Sequence, residues 1–463
     1  MPIDKSTLKE IRDICGSNNV LMAKEDLLSY SFDATGQKML PDLVAFPESA
    51  SQISQILKIA NIRKIPVIPR GAGSGFVGGT VPVKAGIVLA LSRMNKILEI
   101  DEDNMLAVVE PGLVNEKLQQ EVEKKGLFYP PDPASMKFST IGGNIATGAG
   151  GPRAFKYGVT KDYVLGLEVV LPTGEIMKMG VRTAKGVVGY DLVRFLVGSE
   201  GTLGVVTKII LKLLPKPEIT ATLLSSFPNM EQAAQCVTSV IKAKIIPATL
   251  EYIDRRAIEC IKPYLVDSAI PENTGAILLM EVDGPKETVG KEVQKIESLC
   301  LKNGAVETST AFEKEEREKL WTARRAISPS LRKISPTKVN EDITVPRTKI
   351  PATIQMLDRV EKKYSIPIIN FGHAGDGNVH VNLMLDKSNS EMMKRLDPAL
   401  DEIFGEVLEM GGTISGEHGI GLAKSRFIEK EIGKTSLELQ KRIKLAFDPN
   451  NIMNPGKIFW PNI

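Results

Sequence analysis

A glycine-dense loop, Pro69-Arg-Gly-Ala-Gly-Ser-Gly-Phe-Val-Gly-Gly79, most restricts what this chain can fold into. Glycine lacks a Cβ, so successive backbone N–H groups can turn towards a bound phosphate. Gly73, Gly75 and Gly78 match the spacing of the dinucleotide fingerprint, and acids follow at Glu99 and Asp101. That fingerprint must open a helix. Here Thr80-Val-Pro-Val follows, Pro82 spoils a first helical turn, and Gly86 to Leu91 reads as a strand. A Rossmann fold is therefore excluded by context, and the loop taken alone suits a structural turn equally well.

Two further segments change that balance. Residues 126–151, GLFYPPDPASMKFSTIGGNIATGAGG, are poor helix and poor core but suit backbone wrapped closely around a large ligand. Val197-Gly-Ser-Glu-Gly-Thr-Leu-Gly-Val205 leads into a strand where Lys208 and Lys212 alternate with Ile209, Leu211 and Leu213, one face packed and one wet. Ile53, Ile56, Leu57 and Ala60 recur at helical spacing, which predicts an amphipathic helix over 50–62.

The three segments resemble the flavoprotein family that includes vanillyl-alcohol oxidase and the flavin domain of para-cresol methylhydroxylase. The matching pieces, PRGAGSGFVGG, PPDPAS with STIGGNIATGAGG, and GSEGTLGVV, run in order within residues 40–215. The resemblance implies an α+β protein whose PCMH-type FAD-binding domain has two α+β lobes, with the pyrophosphate in the first glycine loop. By position it assigns to the flavin Pro69, Arg70, Gly71, Ala72, Gly73, Ser74 and Gly75 from the first piece. The second contributes Pro131, Asp132, Ser135, Thr140, Gly142, Gly143, Asn144, Ala146, Thr147 and Gly150, and the third Glu200, Gly201, Gly204, Val205 and Val206. Many relatives tether the flavin through a histidine or cysteine in these loops. This chain has no histidine before His373 and only Cys15 before residue 236, so noncovalent FAD is expected.

The second half holds all three histidines. In IINFGHAGDGNVHVNLML (368–385), Asp376-Gly377 is a strong two-residue hairpin signal between short apolar strands. A turn centred there sets Gly375 opposite Asn378 and His373 opposite His380, with Asn382 on the same face. Two such imidazoles can share one metal ion or form a polar pair without one. A helix over 398–410 carries the stripe Leu400, Ile403, Phe404, Val407 and Leu408 and stops at Gly411. Gly412 to Gly416 then lead to Glu417 and His418. Glu417 would complete a two-histidine, one-carboxylate set that leaves positions open for substrate, with His418 free to move protons. Alternatively, the two side chains hydrogen-bond within their loop. Arg324, on a probable helix with Arg325, belongs to a salt-bridged face or forks onto a substrate carboxylate.

FGHAGDGNVHVN, GGTISGEHGIG and FDPNNIMNPGKIF look like the D-2-hydroxy-acid dehydrogenase branch, which includes D-lactate and D-2-hydroxyglutarate dehydrogenases and the flavin subunit of glycolate oxidase. That resemblance spans essentially the whole chain. It implies His373, His380 and Glu417 as ligands of a divalent transition metal (Zn, Mn or Fe), His418 as catalytic base, Arg324 and Asn382 at the substrate, and Asn454 returning to the flavin. Hydroxyglutarate-type enzymes place a lysine shortly before the DxxxP segment. Asn340 stands here instead, which favours D-lactate or glycolate, although Lys338 is close by. The expected domains are 1–218 for FAD, 219–418 as an α+β substrate and metal cap, and 419–463 as a helical return, its last helix starting at a Thr435/Glu438 capping box and burying Leu439, Ile443, Ala446 and Phe447.

At 463 residues, with 43% hydrophobic and 25% charged residues, the chain suits a multi-domain globular protein. A net charge of +3 without a basic block gives nucleic acid binding no support. The lack of a membrane-length apolar run or a secretory leader, and four scattered cysteines, suggest a cytoplasmic protein, peripheral to a membrane only through a partner. No Cys-x-x-Cys pair offers an iron–sulfur cluster. Electrons are therefore expected to leave through an iron–sulfur subunit or an electron-transferring flavoprotein, and a homodimer is compatible. Two rivals remain at this level: a non-redox relative of the lipid-ether synthase type, and a non-catalytic flavin- or metal-binding subunit.

Overall fold

Two compact units divide the chain in a computed structural model that describes residues 3–264 and 270–459. The first comprises Met1–Gly151, Val159–Lys216 and Glu417–Ile463; the second Pro152–Gly158 and Pro217–Gly416. Against expected boundaries at 218 and 418, the divisions fall at Lys216/Pro217 and Gly416/Glu417. Among the described residues, no helix is long and apolar enough to cross a membrane.

The first unit carries two main sheets. Strands β1 (Val20–Leu21), β2 (Leu43–Ala45), β3 (Val67–Arg70) and β4 (Ile87–Ala90) form one in the order β1-β2-β4-β3, with β2 and β3 both parallel to β4. The helix Ala50–Arg63 between β2 and β3 is capped by Ser49 and turns Ile53, Ile56, Leu57 and Ala60 fully into the core. Burying each of its large apolar side chains stabilises the lobe by about 1.5–3 kcal/mol. The second sheet is antiparallel, in the order β5-β6-β10-β8-β9: β5 (Ile97–Asp101), β6 (Leu106–Val109), β8 (Val164–Val170), β9 (Ile176–Gly180) and β10 (Val205–Lys212). A small pair, β7 (Leu127–Phe128) with β11 (Leu214–Pro215), sits beside it in sequence.

The C-terminal segment adds itself to the first lobe. Val67 donates to the Ile452 carbonyl and Asn454 donates back to the Val67 carbonyl, both at 2.8 Å. The last helix, Ile428–Phe447, starts earlier than predicted and breaks at Gly433, whose φ is 74°. Its buried positions are Ile428, Leu437 and Lys444; of the predicted stripe Leu439 and Ala446 are exposed and Ile443 and Phe447 half-buried, because Lys444 turns inward onto Asp448 and the Thr202 and Met453 carbonyls.

The second unit is built on a seven-stranded antiparallel sheet, ordered β15-β12-β14-β13-β17-β18-β16. Its strands are β12 (Ile219–Phe227), β13 (Thr249–Asp254), β14 (Ala276–Gly284), β15 (Glu307–Ala311), β16 (Thr337–Thr344), β17 (Ile368–His373) and β18 (Asn378–Leu385). Helices Arg255–Ile261 and Lys314–Ser330 cover one face through Ala257, Ile258, Ala323 and Ile327, which pack on Ile253, Ile277 and Phe371. Residues 152–158 belong to this unit: Tyr157 donates to Asp283 at 2.9 Å, and Phe155 lies against Gly375. The helix predicted to follow Pro398 spans Ser390–Glu409, with Asn389 accepting from Met392 as its cap. Proline removes one intrahelical bond there, and the packed stripe from Ala399 to Val407 holds the helix through it.

Candidate active site

In the first unit, the three glycine-rich segments and the Glu417-His418 pair line one cleft enclosing about 1380 Å³ of non-atom space, its open mouth included. The glycines serve two purposes. A Cβ on Gly71 would run into Thr140, so the first two segments interlock there, whereas a Cβ on Gly75 would meet nothing within 4 Å, leaving that backbone open to a ligand. Arg70 is 5% exposed and bonded to Thr80 at 3.0 Å, and it lies against Gly73, a fixed cation beneath the loop. Burial pulls its pKa down, opposed by Asp33, whose own pKa burial raises. Open glycine backbone over a fixed guanidinium is the environment that a pyrophosphate needs. FAD fits these residues.

Most of the residues assigned to the flavin line this cleft, but four do not. Val205 is fully buried in the core behind it. The Pro131 carbonyl accepts from Asn115 and Gln119, turning that residue inward, and Asp132 likewise lies off the lining. Asn454 donates to the carbonyls of Gly79 and Glu200, both at 2.8 Å, so it ties the first and third loops together from behind. Glu200 does line the cleft, yet its carboxylate accepts from the Ile420 and Gly421 N–H groups at 2.7 and 2.8 Å. Burial pushes its pKa up to about 7 against those two bonds.

Glu200 thereby fixes the turn directly after His418. The His418 ring stacks on Phe76, with centroids 5.2 Å apart and planes 29° from parallel. The Glu417 and His418 side chains approach to 3.8 Å, too long for a hydrogen bond from one to the other. Gly150 leaves the space that Glu417 occupies, since a Cβ there would lie 2.8 Å from its carboxylate.

In the second unit, the hairpin register differs from the expectation. His373 pairs with Asn378, and Phe371 with His380. The turn spans four residues because the Gly375 N–H is taken by Leu250 on β13 and the Gly377 N–H returns to the His373 carbonyl. Gly377 is required there, with φ at 89° and a Val345 carbonyl where a Cβ would stand. A shift of two preserves the face, so the histidines remain neighbours on a diagonal, with Nε2 atoms 3.3 Å apart and rings at 86°. Two nitrogens held about 2.05 Å from a tetrahedral ion are about 3.3 Å apart. The pair therefore fits a shared divalent ion.

Glu251 was not singled out from sequence, yet it organises this pair. It is fully buried on β13 opposite His373, hydrogen-bonds the His373 Nδ1, and leaves Nε2 turned towards His380. Arg324 forks onto the same carboxylate through Nε and Nη2 at 2.9 and 2.6 Å and lies 4.7 Å over the Phe371 ring. Burial raises the Glu251 pKa, but the His373 and Arg324 charges outweigh it and hold the group below the ordinary value. The sequence signal was an acid among apolar neighbours in Thr249-Leu-Glu-Tyr-Ile. Arg324 thus supports Glu251, where an anchor for a substrate carboxylate was expected. Asn382 is also spent within the sheet: it is fully buried, donates to the Ile369 and His380 carbonyls, and accepts from Asn340.

Residues 41–180 match the FAD binding domain family, and residues 216–458 match the family of FAD linked oxidases, C-terminal domain. The chain belongs to this family of FAD-linked oxidases and is an FAD-dependent oxidoreductase. It is 47% identical over 458 residues to glycolate oxidase subunit GlcD of Bacillus subtilis, covering 99% of this chain and 97% of that protein. It is 35% identical to D-lactate dehydrogenase of Anaerostipes hadrus, covering 91% and 90% of the two chains. The solved structure of p-cresol methylhydroxylase with substrate bound superposes with a TM-score of 0.78 at 19% identity, over 98% of this chain and 96% of that one. The fold is thus of the PCMH type.

Proposed function

We propose that this protein oxidises a D-2-hydroxy acid, D-lactate or glycolate, to the 2-oxo acid with noncovalent FAD and a divalent metal, and passes the electrons to a protein partner. The observation that carries the reading is the His373–His380 pair, whose Nε2 separation of 3.3 Å is the bite of one ion. The glycolate oxidase and D-lactate dehydrogenase relatives support the substrate class, and the relative from Bacillus subtilis, being a subunit of glycolate oxidase, supports a partner.

His373, His380 and Glu417 would hold the metal. When bound, the ion supplies Lewis-acid polarisation of the substrate hydroxyl and FAD supplies the hydride acceptor. The chain's own residues do the rest. His418 takes the hydroxyl proton, with its ring plane set by Phe76 and its following turn held by Glu200. Glu251 fixes the tautomer of His373, and Arg324 holds Glu251. Asn340, paired with Asn382, stands where hydroxyglutarate-type relatives carry a lysine, which supports a small monocarboxylate.

Anaerobic addition of D-lactate or glycolate is expected to bleach the flavin, and acid precipitation to leave the FAD in the supernatant. A flavin that no hydroxy acid reduces would reject the reaction; one that stays with the precipitate would reject noncovalent binding. His380→Ala is expected to lower metal content to a small fraction of wild type at unchanged FAD content. An unchanged metal-to-protein ratio by elemental analysis would remove His380 from the ligand set.

A further inference from the structure

We infer that Asp342 is a further ligand of the divalent ion at His373 and His380, held in place by Asn378. This rests on the metal reading proposed above. Asp342 lies on β16 directly opposite His380 on β18, and antiparallel register sets their side chains on one face. A carboxylate oxygen of Asp342 and a ring nitrogen of His380 lie within 4.8 Å of one another, in reach of a common ion. His380 and Asp342 bring an imidazole and a carboxylate to one ion from the second unit, with the His373 Nε2 3.3 Å from that of His380.

Asp342 is fully buried, an expensive place for a carboxylate unless a cation or strong donors answer it. Asn378 is built around it. Its Nδ2 donates to Asp342 Oδ1 at 2.5 Å and also faces the Ile343 carbonyl and Thr344 Oγ1, at 3.1 and 3.2 Å. Three acceptors on that side fix which way the amide points. Its Oδ1 is left buried without a hydrogen-bond partner, opposite His373 in register and two residues from His380. An orphaned acceptor on the face of two imidazoles and a carboxylate marks a place for positive charge. Gly416 is part of the same construction: any Cβ there would collide with Asn378 Nδ2 and stand 3.1 Å from Asp342 Oδ1. A second carboxylate would also bias the site towards harder ions, manganese(II) or iron(II) over zinc.

The test uses full-length, FAD-loaded protein stripped of metal with EDTA and titrated with manganese(II) chloride, free manganese being read by electron paramagnetic resonance. Asp342→Asn is expected to raise Kd at least about 10-fold at unchanged FAD content. Asn378→Ala, which keeps the carboxylate but releases it, is expected to raise Kd about 10-fold, the low end for an orienting partner. Wild-type Kd in Asp342→Asn overturns the assignment. If that variant does not fold, as read by circular dichroism and FAD content, wild-type Kd in Asn378→Ala overturns it instead. Failure of the wild-type protein to bind manganese, zinc or iron would reject the metal reading itself, a separate outcome.

Discussion

Replacing His418 by alanine is expected to lower turnover by roughly 10²–10⁴-fold, the usual worth of a positioned general base, while FAD and metal content stay at wild-type levels. The side chain lines the flavin cleft and stacks on Phe76. The turn after it is fixed by Glu200 through backbone N–H groups that alanine at 418 leaves in place. Folding and cofactor binding should therefore survive. Steady-state assays with D-lactate, with flavin absorbance and elemental analysis on the same sample, decide the matter. Turnover within a few-fold of wild type would show that the proton leaves by another route.

The largest effect on stability is expected from Glu251→Ala. Glu251 is fully buried between His373 and the Arg324 guanidinium, whose side chain is only 12% exposed. Removing the carboxylate strands a buried cation, a loss of about 3–5 kcal/mol. It also frees the His373 ring, so metal affinity is expected to fall about 10- to 100-fold, as when an orienting carboxylate is removed behind a ligand. The pH dependence has a definite sign. The folded pKa of Glu251 lies below its ordinary 4.5, so its contribution is complete above that value and is lost as pH falls through the folded pKa. The difference between wild type and variant should shrink in acid. A urea midpoint and a metal Kd both unchanged at neutral pH would show that the pair is dispensable.

The flavin half was legible because its constraints are local. Loops that must approach a ligand closely need glycine, and a proline such as Pro82 forbids a helix wherever it falls, so the loops and the failed nucleotide motif could both be read from the chain. The face shared by His373 and His380 was legible for the same kind of reason: side chains alternate with a period of two, and a register error of two leaves the face unchanged. The register itself was not, because the turn length depends on a hydrogen bond from Gly375 to Leu250, 125 positions earlier. Asn454 was read as a flavin contact because its motif accompanies flavin loops. Only the folded chain shows its amide bridging Gly79 and Glu200.

By itself, then, the sequence determined the flavin loops, the helix with Ile53 and Leu57 on its buried side, and the presence of two histidines on one face of a hairpin. Each follows from glycine, proline or periodicity within a dozen residues. The tertiary structure decided which charged residues gather around those histidines. Glu251, Arg324 and Asp342 reach the hairpin from β13, the helix Lys314–Ser330 and β16, and no local pattern announces such meetings. Buried charges find their partners only when strands distant in sequence are laid side by side, since their pairing follows from burial and register.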